Sequence, residues 1–151
     1  MAELTYFTAR LHYKAIVADV TEQMGGDADT DPDTAGIHAG VIITPFVRDS
    51  TGRTTAVSAI AAPTLEPPAL IALAPIRARL DAGQLKLTAL QADVRLVAQT
   101  AVLTLPEGST LCYEIAFNNV TFGGGDQQLP GFKFQAPTGD HIVDLATVAR
   151  I

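Results

Sequence analysis

Four aspartates at every second position, Asp27, Asp29, Asp31 and Asp33, form the first grouping in this chain whose type and spacing could do chemistry. Alternating carboxylates open the calcium loop of an EF-hand, where they and a later bidentate glutamate surround a hard cation. That loop also needs glycine at its sixth position and glutamate at its twelfth. Counted from Asp27, those positions hold Pro32 and His38, so the pattern fails. Two readings are left: a looser calcium site using several of the four, or a solvated acidic loop whose charges repel one another. The second is preferred, and no metal or other cofactor is expected.

The other reactive side chains lack partners at useful spacing. His12, His38 and His141 are far apart, and none has a His or Glu four residues on, so no zinc motif forms. Gly123-Gly124-Gly125 follows a strand-like run, as a phosphate loop would. The residues after it are Asp126, Gln127, Gln128 and Pro130, with neither the lysine nor the helix start that phosphate cradling uses. Ser50, Ser58 and Ser109 stand outside any Gly-x-Ser-x-Gly elbow and have no nearby histidine. Glu107 and Glu114 can be named as a carboxylate pair, but nothing singles them out. Cys112 is the only cysteine and lies in the apolar run Leu111-Cys112-Tyr113-Glu114-Ile115. It reads as a small buried hydrophobe, because a reactive thiolate needs a cationic, exposed setting. With no tryptophan and 6% aromatic residues, the chain is also poorly equipped to line a sugar cleft. No catalytic residue is assigned, and a non-enzymatic protein is expected.

The elements that would position these groups are short and mostly alternating. Leu4 to Val17 reads as one long strand with a bend or bulge near His12-Tyr13, favoured by its aromatic and threonine content. Met24 to Asp33 is a Gly-, Asp- and Pro-rich loop. Gly40 to Val47 is a strand whose end Pro45 places at an edge or bulge. Asp49-Ser50-Thr51-Gly52 turns into a return strand over Thr54 to Ala62. Arg77 and Arg79 alternate with Ile76, Ala78 and Leu80, and Asp81-Ala82-Gly83 then turns into Leu85 to Thr88, a hairpin. Val94–Ala98, Val102–Leu105, Leu111–Phe117, Phe132–Gln135 and a closing His141–Leu145 are further strands. About eight to ten short strands, with turns every 8–12 residues, predict an all-β fold: a single-domain antiparallel β-sandwich over residues 1–151.

Bulk composition narrows the partners. The 10 basic and 16 acidic residues leave a net charge of −6, which opposes a nucleic-acid surface and an anionic membrane surface alike. No run of 18 apolar residues occurs, and the acidic, alternating start Met1-Ala2-Glu3-Leu4-Thr5 does not read as a secretory signal, so a cytosolic origin is expected. Hydrophobic residues make up 48% and charged residues only 17%, against about 25% charged in an ordinary domain. So few charges coat a free monomer thinly.

Several segments also carry a family likeness. Phe132 to Phe134 leads into the Pro137-Thr138-Gly139 turn and the close Asp144-Leu145-Ala146-Thr147-Val148. Upstream, in order, stand Gly40-Val41-Ile42-Ile43-Thr44-Pro45, Arg79-Leu80-Asp81-Ala82-Gly83-Gln84-Leu85 and Val94-Arg95-Leu96-Val97-Ala98. Together these resemble a domain of minor tail and tail-fibre (tail tip) structural proteins of siphophages infecting high-GC Gram-positive bacteria. Tyr113 departs from the pattern, standing where that family often has tryptophan. The resemblance implies a bacteriophage virion structural protein, a minor tail protein of the tail tip or fibre attachment region. It would be made in the host cytoplasm, located in the virion, and partnered by other phage virion proteins and copies of itself as a homo-oligomer. The alternatives are a capsid decoration protein or head fibre, and a small host-surface carbohydrate-binding module.

Overall fold

The computed structural model describes residues 3–17, 33–56, 59–87, 92–122 and 125–151. No helix occurs among them, and 54% of the structure is strand in several antiparallel sheets, so the fold is all-β. The largest sheet is built on two long strands, β4 (His38–Arg48) and β11 (Thr110–Phe122), paired antiparallel from Thr110↔Arg48 to Asn118↔Gly40. β8 (Ile76–Asp81) and β9 (Gln84–Leu87) extend this sheet on the β4 side, and β12 (Gly125–Gln127) and β13 (Phe132–Gln135) pair with β11 on the other. A three-stranded sheet faces it, ordered β10 (Val94–Val97), β1 (Tyr6–Arg10) and β14 (Ile142–Asp144). Two-stranded ribbons complete the fold: β2 (Lys14–Val17) with β3 (Asp33–Gly36), and β6 (Ile60–Ala62) with β7 (Ala69–Ile71). β5 (Thr54–Ala56) pairs with the end of β4.

Alternation decides which side chains enter the space between the sheets. In β4 the buried Ala39, Val41 and Ile43 alternate with Gly40, Ile42 and Thr44, because successive Cβ atoms point to opposite faces. Leu111, Tyr113 and Ile115 of β11 and Phe134 of β13 join them from the same sheet, and Phe7, Ala9, Val94 and Leu96 meet them from the three-stranded sheet. Aromatic contacts lock the centre. Phe7 meets Tyr113 edge-on at 5.9 Å and Phe134 at 6.3 Å, and Tyr113 stacks on Phe134 at 5.9 Å. Such pairs add about 0.5–1.5 kcal/mol each beyond their buried area. The Tyr113 hydroxyl, reaching across the sandwich, donates to the Val97 carbonyl at 2.7 Å, so a polar atom in the core is satisfied.

The structure differs from the strand pattern read in the sequence at several points. The long first strand breaks into β1 and β2, which belong to different sheets. At the break the Leu11 carbonyl accepts from Leu85 N–H and the Tyr13 N–H donates to the Gly83 carbonyl, so the β8–β9 turn takes the backbone groups that would continue the ladder. Thr54–Ala62 is likewise two strands in two sheets rather than one. Pro45 lies inside β4, at the step where its flank partner changes from β8, ending at Ile43, to β5, starting at Phe46. The ladder on that flank is interrupted there, and a missing N–H is tolerated. Val102–Leu105 is not a strand: Leu103 N–H closes a turn onto the Thr100 carbonyl, and only Thr104 bridges, to Ala61. β14 runs parallel to β1, unlike the antiparallel pairs elsewhere, and the described strands number 14 rather than eight to ten.

Candidate functional site

The residues singled out for chemistry are scattered by the fold. Asp27, Asp29 and Asp31 lie outside the described residues. Asp33 begins β3 instead of ending a loop, and its backbone stands opposite Val17. His12 bridges to Gln84, and His38 places its Nδ1 3.7 Å from an Asp81 carboxylate oxygen, so both histidines reach the same β8–β9 turn. His141 is at the other end of the three-stranded sheet, where its carbonyl accepts from Thr8 N–H at 2.9 Å. Among the described residues, no group of three or more His, Cys, Asp or Glu is placed to hold a metal ion. Glu114 faces out of β11 beside Lys133 at 3.9 Å, while Glu107 lies in the Pro106–Ser109 turn. Of the glycine run, Gly123 and Gly124 are outside the described residues and Gly125 pairs with Phe122 as the start of β12. Ser58 is also outside them. Ser50 and Ser109 occupy turns without a histidine partner among the described residues.

Cys112 is buried, as its apolar run suggested, on the face of β11 turned away from the central cluster. It stands opposite Phe46 on one flank and Gln135 on the other. Burial pushes its thiol above the ordinary value, with Thr110 and Arg48 acting in the opposite sense. A protonated, enclosed thiol is a poor nucleophile.

What the fold does assemble is a set of apolar side chains on open strand edges. β7 pairs with β6 on one side and has no strand partner on the other among the described residues. It carries Leu70, 76% exposed, within Pro67-Pro68-Ala69-Leu70-Ile71-Ala72-Leu73-Ala74-Pro75, nine residues without a charge. Among the described residues β14 pairs only with β1, and its Ile142 is 61% exposed. Ile142 stands opposite Thr8, two residues along the same face from the half-exposed Tyr6, which in turn pairs with Val97. Unpaired N–H and C=O groups along such edges are templates for another chain, and natural edges are usually blunted by charge. Here the edge of β7 bears none. Among the described residues, no helix is long and apolar enough to cross a membrane.

The composition signalled these surfaces without locating them. Pro67, Pro68 and Pro75 bar a helix from this apolar run, but nothing in the sequence marks it as an exposed edge, because exposure depends on which strand pairs with β6. Compared with models of known protein families, with curated proteins and with solved structures, the chain finds no match.

Proposed function

We propose that this chain is a bacteriophage virion structural protein, a minor tail protein of the tail tip or fibre attachment region. It acts by assembling with copies of itself and with other virion proteins, and carries out no catalysis. One observation carries the reading: the exposed apolar residues Leu70 and Ile142 sit on the strands β7 and β14, each open on one edge among the described residues. Burial of such an edge against a neighbour satisfies its backbone groups and removes apolar area from water at about 25 cal/mol per Å². The segments that resemble siphophage tail proteins support the placement in a tail. They fall on β4, the β8–β9 hairpin, β10, β13 and the end of β14, all strands of the two facing sheets.

Immunogold labelling of virions of the encoding phage, with an antibody to this chain, tests the proposal. Gold at the tail tip is the expected result. Labelling on heads favours the capsid decoration reading, and virions without the chain overturn a structural role. Saturable binding to a glycan array by the isolated protein favours the carbohydrate-binding module instead.

A further inference from the structure

β7 and β14 each carry an exposed hydrophobe on an edge that is open among the described residues, and the two edges differ in charge. β14 is closely preceded by Asp140 and ends in Asp144. Carboxylates at such an edge oppose the approach of another acidic strand. The run from Pro67 to Pro75 that holds β7 has no charge. In a chain of net charge −6, two copies can meet along β7 without setting like charges directly against each other.

The pairing of β6 fixes which way the backbone of β7 faces. Ala61 stands opposite Leu70, and on its other flank Ala61 bridges antiparallel to Thr104, its carbonyl accepting from Thr104 N–H at 2.8 Å. In antiparallel strands the N–H and C=O of one residue point to the same side, and hydrogen-bonded pairs alternate with non-hydrogen-bonded ones. With Ala61 turned toward Thr104, the Ala61–Leu70 pair is of the second kind. The N–H and C=O of Leu70 therefore point away from β6, toward the open edge. Neither makes a backbone hydrogen bond elsewhere among the described residues.

A donor and an acceptor side by side on one residue are self-complementary. Two such residues facing each other in antiparallel strands exchange two N–H···O bonds. The prolines set the length of the edge. Pro67 and Pro68 lack the N–H that would carry a ladder past them, and Pro75 stands beyond the other end. In a register centred on Leu70, Pro68 stands opposite Ala72 of the other copy and has only to offer its carbonyl. A second copy of the same edge thus matches this one in length, polarity and lack of charge.

We propose that β7 pairs antiparallel with β7 of a second copy, Leu70 against Leu70, about a twofold axis at that residue. The contact is isologous and closes as a dimer, joining the two ribbons into a four-stranded sheet ordered β6-β7-β7-β6. The inference rests on the reading of the chain as a self-assembling component and names one surface that does it. A ladder from Pro68 to Ala72 buries well under the roughly 1,200 Å² of a stable interface, so the dimer is weak and forms at high protein concentration.

Disulfide capture in the full chain at high concentration tests this, with wild type as the control because its one cysteine, Cys112, is buried. Leu70→Cys is expected to yield a linked dimer, since the Cα spacing of about 5.5 Å in a hydrogen-bonded pair suits a disulfide. Pro68→Cys and Ala72→Cys, changes at exposed residues, read the register. Mixed together, they should link to each other at least about tenfold faster than either links to itself, because pairing raises the effective concentration of matched positions only. Adding Leu70→Lys to both should abolish that preference, since two lysines would stand directly opposite each other. A Leu70→Cys chain that stays monomeric, self-linking of Pro68→Cys and Ala72→Cys as fast as their mixture, or a preference that survives Leu70→Lys overturns the inference. Presence of the chain in virions is read by the labelling experiment, so either result can fail without the other.

Discussion

Phe134 and Leu70 are both apolar residues on short strands, yet Phe134 has no exposed surface and Leu70 is 76% exposed. The difference lies in their neighbours. Phe134 belongs to β13, paired to β11 and covered by Phe7 from the facing sheet. Leu70 belongs to β7, whose only strand partner among the described residues is the three-residue β6. The comparison shows where the excess of apolar residues goes: one part fills a closed core, and another, Leu70, is displayed on a ribbon whose Ile60 and Ile71 still pack against that core. A hydrophobe is therefore a stability determinant in the first region, while in the second it adds little to stability and stays open to solvent.

That contrast can be broken most severely from the core side. Phe134→Ala removes the ring that stacks on Tyr113 and meets Phe7, and is expected to destabilise by about 3–5 kcal/mol in urea unfolding. Next comes the turn that ties the two halves of the first strand together. Gly83 has a φ of 84°, and a Cβ there would collide with the Tyr13 carbonyl oxygen. Gly83→Ala should cost about 3 kcal/mol, from left-handed strain and overpacking combined, measured as a fall in denaturation midpoint with unchanged slope.

Tyr113→Phe gives a smaller effect with a pH signature. It leaves the Val97 carbonyl without its donor and should cost about 1 kcal/mol at neutral pH. Burial pushes the Tyr113 hydroxyl well above its ordinary 10.0, and a phenolate could not donate to the Val97 carbonyl. Above pH 10 the unfolded chain has lost this proton while the folded chain keeps it. Stability from this group is thus fully present below pH 10 and lost as pH rises beyond it. Cys112, raised from 9.0 by burial, adds a loss of the same sign. Stability profiles from pH 7 to 11.5 should show an alkaline decline in wild type that is shallower in Tyr113→Phe; equal slopes would refute the assignment. The smallest change in stability is expected on the ribbon. Leu70→Lys should alter unfolding free energy by no more than about 0.5 kcal/mol. It should instead reduce light scattering at high concentration, because a lysine on an open edge opposes pairing.

How much of this was legible in the sequence varied with the kind of signal. The β8–β9 hairpin was readable because Ile76, Ala78 and Leu80 alternate with arginines and a turn follows at Asp81-Ala82-Gly83. β11 was readable only as far as Phe117. Its continuation through Asn118-Asn119 depends on a bulge, with Asn119 at a φ of 50°, that strand propensity does not announce. The break at His12-Tyr13 was visible as a bend, but its consequence, the transfer of β2 to another sheet, was not. The placing of Leu11 near Phe132 and Arg150 was invisible, since these residues are brought together across more than a hundred positions of sequence.

The sequence by itself determined the all-β class, the inward face of β8, the buried state of Cys112 and the shortage of charge. Each of these follows from local composition or from a period of two, which a linear chain carries in full. Only the tertiary structure decided which strands became edges, that Leu70 and Ile142 stay exposed while Phe134 does not, and that Arg150 lies fixed over Phe132 beside Lys14. Those outcomes depend on pairing partners distant in sequence, and no local pattern encodes a partner.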